Sequence, residues 1–214
     1  MQIMMVDNSN TNFYKKYLET FDIKVQHLNP KYPLQKGEKK RQYKPLVQVV
    51  CESHNILREY AVKNGFDYLF HIESDVMVRP NTLNELLSHK KKVVSAMYFH
   101  GNDFNTNLLL QEQEGWGMDR KVRRKTFEET VCFVDGNVKK MHACGIGAAL
   151  IHKSILKDIE FRFTDIHGRI DRETYPDSYF YEDLARDEVD AWVDTSIILE
   201  HKSQDWAINL DFHR

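Results

Sequence analysis

Short apolar runs broken by polar turns alternate with amphipathic stretches along the first half of the chain. Residues 3–6 are apolar and stop at Asp7-Asn8-Ser9, which predicts a buried strand ending in a turn. Residues 11–20 predict a helix with Phe13, Tyr17 and Leu18 on one side, and the alternation of Ile23, Val25 and His27 predicts a second strand. The Pro-, Gly- and Lys-rich stretch 29–41 predicts a loop. The clearest helix runs from Tyr43 to Lys63. Pro45 stands in its first turn, Leu46, Val49, Val50, Ile56, Leu57, Tyr60 and Ala61 recur at helical spacing, and Asn64-Gly65 stops it. The run Tyr68-Leu69-Phe70-His71-Ile72 predicts a buried strand that leads directly into Glu73-Ser74-Asp75. Pro80 and Asn81 open another helix through Leu86 and Leu87, and residues 93–99 predict a strand.

The second half is patterned less sharply. The polar stretch 101–125 takes no assignment, and residues 131–134 and 138–142 read as strands. Residues 148–151 predict a strand, 154–158 a turn of helix, Phe161 with Phe163 an alternating pair, and 177–190 a helix. Residues 191–193 and 197–199 predict two short closing strands. Alternating strands and helices imply an α/β fold with a mostly parallel central sheet flanked by helices. No repeat or linker divides the chain, so residues 1–214 are expected to form one domain.

Composition narrows the function. Hydrophobic residues make up 42% and charged residues 29% of the 214, enough apolar surface for a core. A formal net charge of -2 gives no global pull toward nucleic acid or membrane. Cys51, Cys132 and Cys144 are odd in number and lack a CxxC spacing, so a reduced, cytoplasmic setting without zinc is expected. No apolar run is long enough to span a bilayer, and the residues after Met1 turn acidic too soon for a signal peptide.

The chemistry gathers at strand ends. In open α/β sheets ligands bind beyond the carboxyl ends of strands, and there Glu73 and Asp75 stand two residues apart, on one side of an extended segment. Two such carboxylates repel unless a cation lies between them, and a divalent ion bridging to a diphosphate meets that need with oxygen ligands. The bland alternative is a pair of solvated turn residues. Glu182 and Asp183, flanked by Tyr179, Phe180 and Tyr181, form either a helix-dipole pair or a desolvated general base. His201 ends the apolar run 197–199 and becomes a ligand candidate because two acids already call for a metal. Gly145 and Gly147 form either a tight turn before a strand or a surface on which backbone meets a ligand closely.

In order and spacing these elements resemble family-2-like glycosyltransferases of the GT-A fold, including short phage and bacterial members. The stretches that carry the resemblance are Val6-Asp7-Asn8-Ser9, Ser53-His54-Asn55, Phe70 through Val76, Gly145 through Ile151, Phe180-Tyr181-Glu182-Asp183 and Leu199-Glu200-His201. The resemblance covers nearly the whole chain. It implies transfer of a sugar from a nucleotide-diphosphate sugar, UDP-linked, to a hydroxyl acceptor, with Mn2+ or Mg2+ and inversion at the sugar. By resemblance Asp7 meets the nucleotide base, and Asn55, Ser74, Gly145 and Gly147 border the donor. Glu73, Asp75 and His201 hold the metal, and Asp183 or else Glu182 is the catalytic base. The sequence departs from the family pattern in two places. The metal motif opens with Glu rather than Asp, and the usual first strand and helix have no counterpart ahead of residue 3.

Two other functions share such a fold: a sugar-nucleotide-binding protein without catalysis, and a nucleotidyltransferase, whose Gly-rich phosphate loop is missing from residues 1–12. The acceptor is a glycan, a small molecule or modified phage DNA. The last rests on the basic runs Lys90-Lys91-Lys92 and 120–125, which read equally as solvated faces, and Trp116 is a candidate for stacking on an acceptor ring.

Overall fold

The computed structural model describes residues 1–9, 12–28, 43–100, 105–111, 122–168 and 174–202. The expected loop at 29–41, Trp116 and the start of the second basic run lie outside them.

Strand β1 (Met4–Asp7) leads through helix α1 (Phe13–Leu18) to β2 (Lys24–His27). The two strands pair in parallel from Met4↔Lys24 to Asp7↔His27, so the polar ends of both meet. α1 buries none of its residues, and Phe13 and Tyr17, expected on one side of it, are exposed.

Helix α2 (Tyr43–Lys63) has the expected bounds. Its most buried face runs through Val47, Cys51, His54, Arg58 and Ala61, so Leu46 is left exposed. Two polar side chains of this helix, Asn55 and Arg58, find partners in the backbone of residues 157–161. Arg58 Nε donates to the Ile159 carbonyl at 2.8 Å. Asn55 takes both sides of the Phe161 peptide, donating to its carbonyl at 2.8 Å and accepting from its N–H at 2.9 Å.

The rest of the chain builds a seven-stranded sheet. β3 (Tyr68–Ile72), β11 (Ala148–His152), β5 (Val93–His100), β12 (Ala191–His201) and β4 (Val76–Met77) lie in that order, with β6 (Asn105–Thr106) on β5 and β9 (Val138–Met141) on β12. β7 (Leu108–Gln111), β8 (Val122–Arg124) and β10 (Ala143–Cys144) make a small antiparallel sheet. The fold is mixed α/β, but the central sheet is not mostly parallel. Among the described residues only β5 and β12 pair in parallel there, and β11 inserts antiparallel between β3 and β5. Helical crossovers account for the order of elements in the first half, but β11 reaches its slot after the β7–β10 excursion and enters from the opposite end.

Alternation along β5 splits the core by face. Val93 and Met97 join the cluster that holds Ile155 and Leu156 of α5 (Lys153–Asp158) and Phe180, Tyr181 and Leu184 of α6 (Pro176–Arg186). Val94, Ala96 and Tyr98 join the cluster beneath α3 (Thr82–Ser88), around Leu86. Helices therefore flank both faces.

One expected element changes type and two others merge. Residues 131–134 fall at the end of a helix, α4 (Phe127–Phe133), which opens on a capping box between Thr126 and Glu129. The two closing strands are one, β12, with an irregularity between Asp194 and Ile198. Asp194 stabilises it by accepting from the Ser196 N–H at 2.8 Å and the Ser196 hydroxyl at 2.6 Å, and it meets His89 Nε2 at 2.7 Å. Among the described residues, no helix is long and apolar enough to cross a membrane.

Candidate metal centre

Glu73 follows the last residue of β3 and still takes part in its ladder, donating its N–H to the Gly147 carbonyl at 3.0 Å. The Val76 N–H closes the turn onto the Glu73 carbonyl at 3.1 Å. β4 then pairs with the far end of β12, Val76 opposite His201, and Lys202 N–H donates to the Asp75 carbonyl at 2.7 Å. The turn is therefore pinned on one side to the lead-in of β11 and on the other to the end of β12. This backbone work carries His201 to the acid-x-acid turn.

One ligand atom from each of Glu73, Asp75 and His201 lies within 4.8 Å of the other two. His201 Nε2 is 3.5 Å from Asp75 Oδ2. Metal–ligand bonds of about 2.0–2.2 Å place atoms that share an ion up to about 4.4 Å apart, so small side-chain movements close this trio on one cation. Two hard carboxylates and an imidazole suit Mn2+ or Mg2+ better than a soft thiophilic ion.

The supporting residues fix the ring and the acid. His201 stacks on Tyr98, centroids 5.4 Å apart and planes 7° from parallel. The Tyr98 hydroxyl accepts the Gly147 N–H at 3.1 Å. Gly145 and Gly147 have no room for a side chain: a Cβ at Gly145 would fall 2.1 Å from the Tyr98 hydroxyl, and one at Gly147 would fall 2.8 Å from both that hydroxyl and Glu73 Oε2. The glycines are thus required by the packing of the centre itself.

Burial, followed by the charges of Asp75 and Asp177, pushes the Glu73 carboxyl up to about 7. A cation bound between Glu73 and Asp75 removes that penalty.

The other sequence candidates are placed differently. Ser74 is exposed in the turn between Glu73 and Asp75. Asp7 lies in the two-stranded sheet. Its carboxylate accepts the Ser9 N–H at 3.0 Å and meets His27 Nδ1 at 2.9 Å, and hydrogen bonds from Ser9 and His27 hold it below the usual carboxylate range against the opposing effect of burial. Asn55 has both ends of its amide committed to Phe161.

Glu182 and Asp183 are buried in an arginine network, 7% and 4% exposed. Arg162 Nε and Nη2 each donate to Asp183 at 2.9 Å, Nη2 reaches Glu182 at 3.4 Å, and Arg186 Nη1 lies 2.7 Å from Asp183. The Arg162 guanidinium also donates to the Thr164 carbonyl at 2.6 Å and lies 4.1 Å from the Tyr179 ring centroid. Asp183 here anchors the segment around Arg162 onto α6.

Tyr98 is a site residue that the sequence does not single out, because it sits within an apolar strand and carries no local mark.

No protein-family model matches the sequence, and no curated protein matches it significantly. Among solved structures, the chain is similar to A197 from STIV, at 13% identity and a TM-score of 0.49 over 94% of this chain and 85% of that one. It is also similar to the nucleoside-diphosphate-sugar pyrophosphorylase from Vibrio cholerae RC9, at 12% identity and a TM-score of 0.43 over 94% of this chain and 73% of that one.

Proposed function

We propose that this protein is a metal-dependent glycosyltransferase of the GT-A kind, one domain over residues 1–214, that moves a sugar from a UDP-linked donor to a hydroxyl acceptor with inversion. The observation that carries the reading is the convergence of Glu73 and Asp75 with His201, which lies far along the sequence from them, onto one point at the carboxyl end of β3. The order of motifs along the sequence supports it.

Glu73, Asp75 and His201 hold Mn2+ or Mg2+. Such a cation stabilises the charge that builds on the departing diphosphate. The Tyr98 ring keeps the His201 imidazole in one orientation, and the bare backbone at Gly145 and Gly147 lets the donor sugar lie close. Asp7, aligned by His27, receives the nucleotide base. A carboxylate on the acceptor side takes the hydroxyl proton; the family resemblance gives that step to Asp183 or Glu182.

The test is turnover of a panel of UDP-, GDP- and dTDP-hexoses with MnCl2, read as nucleoside diphosphate released. Asp75→Ala is expected to lower metal-dependent release at least about 100-fold. Binding of donor without release makes the protein a sugar-nucleotide binder. Pyrophosphate release from a nucleoside triphosphate and a sugar 1-phosphate makes it a nucleotidyltransferase. Unchanged turnover in Asp75→Ala removes the centre from the reaction.

A further inference from the structure

The one fully buried residue of β3 is polar. His71 is 2% exposed, pairs with Ala149 of β11 and faces α2, where the His54 ring meets it edge-on, centroids 4.5 Å apart and planes at 84°. A polar ring buried in a strand is costly unless it is hydrogen-bonded. His71 Nδ1 makes its bond to the Ile146 carbonyl at 2.8 Å. A carbonyl only accepts, so Nδ1 carries the proton and donates it.

The Ile146–Gly147 peptide is held at its other end too, where its N–H donates to the Tyr98 hydroxyl at 3.1 Å. The carbonyl and N–H of a trans peptide point in opposite directions. This peptide is therefore clamped across the end of the sheet, with His71 on the α2 side and Tyr98 on the α3 side. The next carbonyl, that of Gly147, accepts the Glu73 N–H at 3.0 Å, and the Tyr98 ring stacks on His201. One peptide thus ties together two of the proposed metal ligands. Glycine flanks Ile146 on both sides, and glycine resists backbone rotation least, so hydrogen bonds must hold this peptide in place.

We infer that His71 is a positioning residue of the metal centre, fixing the Ile146–Gly147 peptide so that Tyr98 and Glu73 keep their places. The inference rests on the reading of Glu73, Asp75 and His201 as the ligands of a cation, and not on the transfer of a sugar. Without the Nδ1 proton the peptide is free to turn. The Gly147 N–H then leaves the Tyr98 hydroxyl, and the His201 imidazole and the Glu73 carboxylate lose their common focus.

The test moves the donor along the side chain. In Asn the amide nitrogen is bonded to Cγ, as Nδ1 is, and still reaches the Ile146 carbonyl; in Gln it stands one bond further out. Mn2+ alone is titrated calorimetrically into the full chain, and thermal melts in EDTA establish that each variant is folded. His71→Leu and His71→Gln are expected to bind Mn2+ at least about tenfold more weakly than wild type, and His71→Asn within about threefold of it. Both amide variants lose the ring, so lost packing alone would weaken them alike, and equal affinity in the Asn and Gln variants overturns the inference. His71→Leu with wild-type affinity overturns it as well. Should the Leu variant fail to fold, the Asn and Gln pair decides. Wild type that binds no Mn2+ overturns the metal-centre reading itself, and this inference with it.

Discussion

A single methyl group at Gly147 separates the two functions that glycine serves there. In Gly147→Ala the new Cβ would lie 2.8 Å from Glu73 Oε2, 2.8 Å from the Tyr98 hydroxyl and 3.0 Å from Tyr98 Cζ, where ordinary contacts begin at 3.4 Å. Both neighbours must give way by about half an ångström or more. They are not equally free to do so. Tyr98 is 1% exposed, stacked on His201 and bonded to the Gly147 N–H, so its retreat would unstack the imidazole. The Glu73 carboxylate is the end of a flexible side chain and moves first. Overpacking of this kind costs about 1–3 kcal/mol, or a melting temperature lower by about 2–12 °C for a chain of this size. The larger effect falls on the ion: a displaced Glu73 opens the trio, and Mn2+ affinity is expected to fall about 10–100-fold. Calorimetric titration of Mn2+ into both proteins measures this, with thermal melts in EDTA reporting the stability term. An alanine variant that melts several degrees lower yet binds Mn2+ as wild type does would refute the reasoning, because it would place Glu73 outside the metal site.

Glu73 also predicts a pH dependence in the metal-free protein. Its carboxyl is raised from the ordinary 4.5 to about 7, so between those values the folded chain holds a proton that the unfolded chain has released. Stability must then fall as pH rises across that window and level off above it. Melts in EDTA should show this slope in wild type and lose it in Glu73→Gln; equal slopes would contradict the assignment. Arg162→Ala strands Glu182 and Asp183, leaving Arg186 as the remaining guanidinium on Asp183 among the described residues. Breaking such a buried pair costs about 3–5 kcal/mol. Urea unfolding should show that loss, and Mn2+ affinity measured well below the melting point should stay within a few-fold of wild type. A loss under about 1 kcal/mol would mean the network is not what holds the Arg162 segment to α6.

Local pattern was enough where local forces decide the outcome. α2 was bounded by its periodicity and by Asn64-Gly65, and β3 by an apolar run that ends in acids. It failed where a distant partner decides. The polar triplet Asp194-Thr195-Ser196 breaks an apolar run and reads as a gap between strands, yet Asp194 satisfies the Ser196 N–H itself and the strand continues. Val131 to Val134 looked like a strand because apolar residues dominate it; the capping box at Thr126 and Glu129 was the signal that outweighed them. The family resemblance singles out Asn55, Glu182 and Asp183, and nothing in their neighbours shows that the Phe161 peptide and Arg162 hold them. Arg162 itself lies in a stretch with no regular pattern.

The sheet order, which the sequence pattern missed, is also what assembles the metal centre. Had β11 run parallel to β3, its lead-in would lie at the amino end of that strand, far from Glu73. Because it runs antiparallel, Ala148 pairs with Ile72, and the residues just before it, Gly145 to Gly147, reach the carboxyl end of β3. The parallel pairing of β12 with β5 brings Leu199 beside Tyr98, and the return of β4 sets Val76 opposite His201. Tyr98 can then touch both halves, its hydroxyl on Gly147 and its ring on His201. An acid-x-acid turn at a strand end is common. What makes this one a candidate metal centre is a single reversed strand, which delivers a side-chain-free backbone to one flank of Glu73 and leaves room for Tyr98 to hold the histidine on the other.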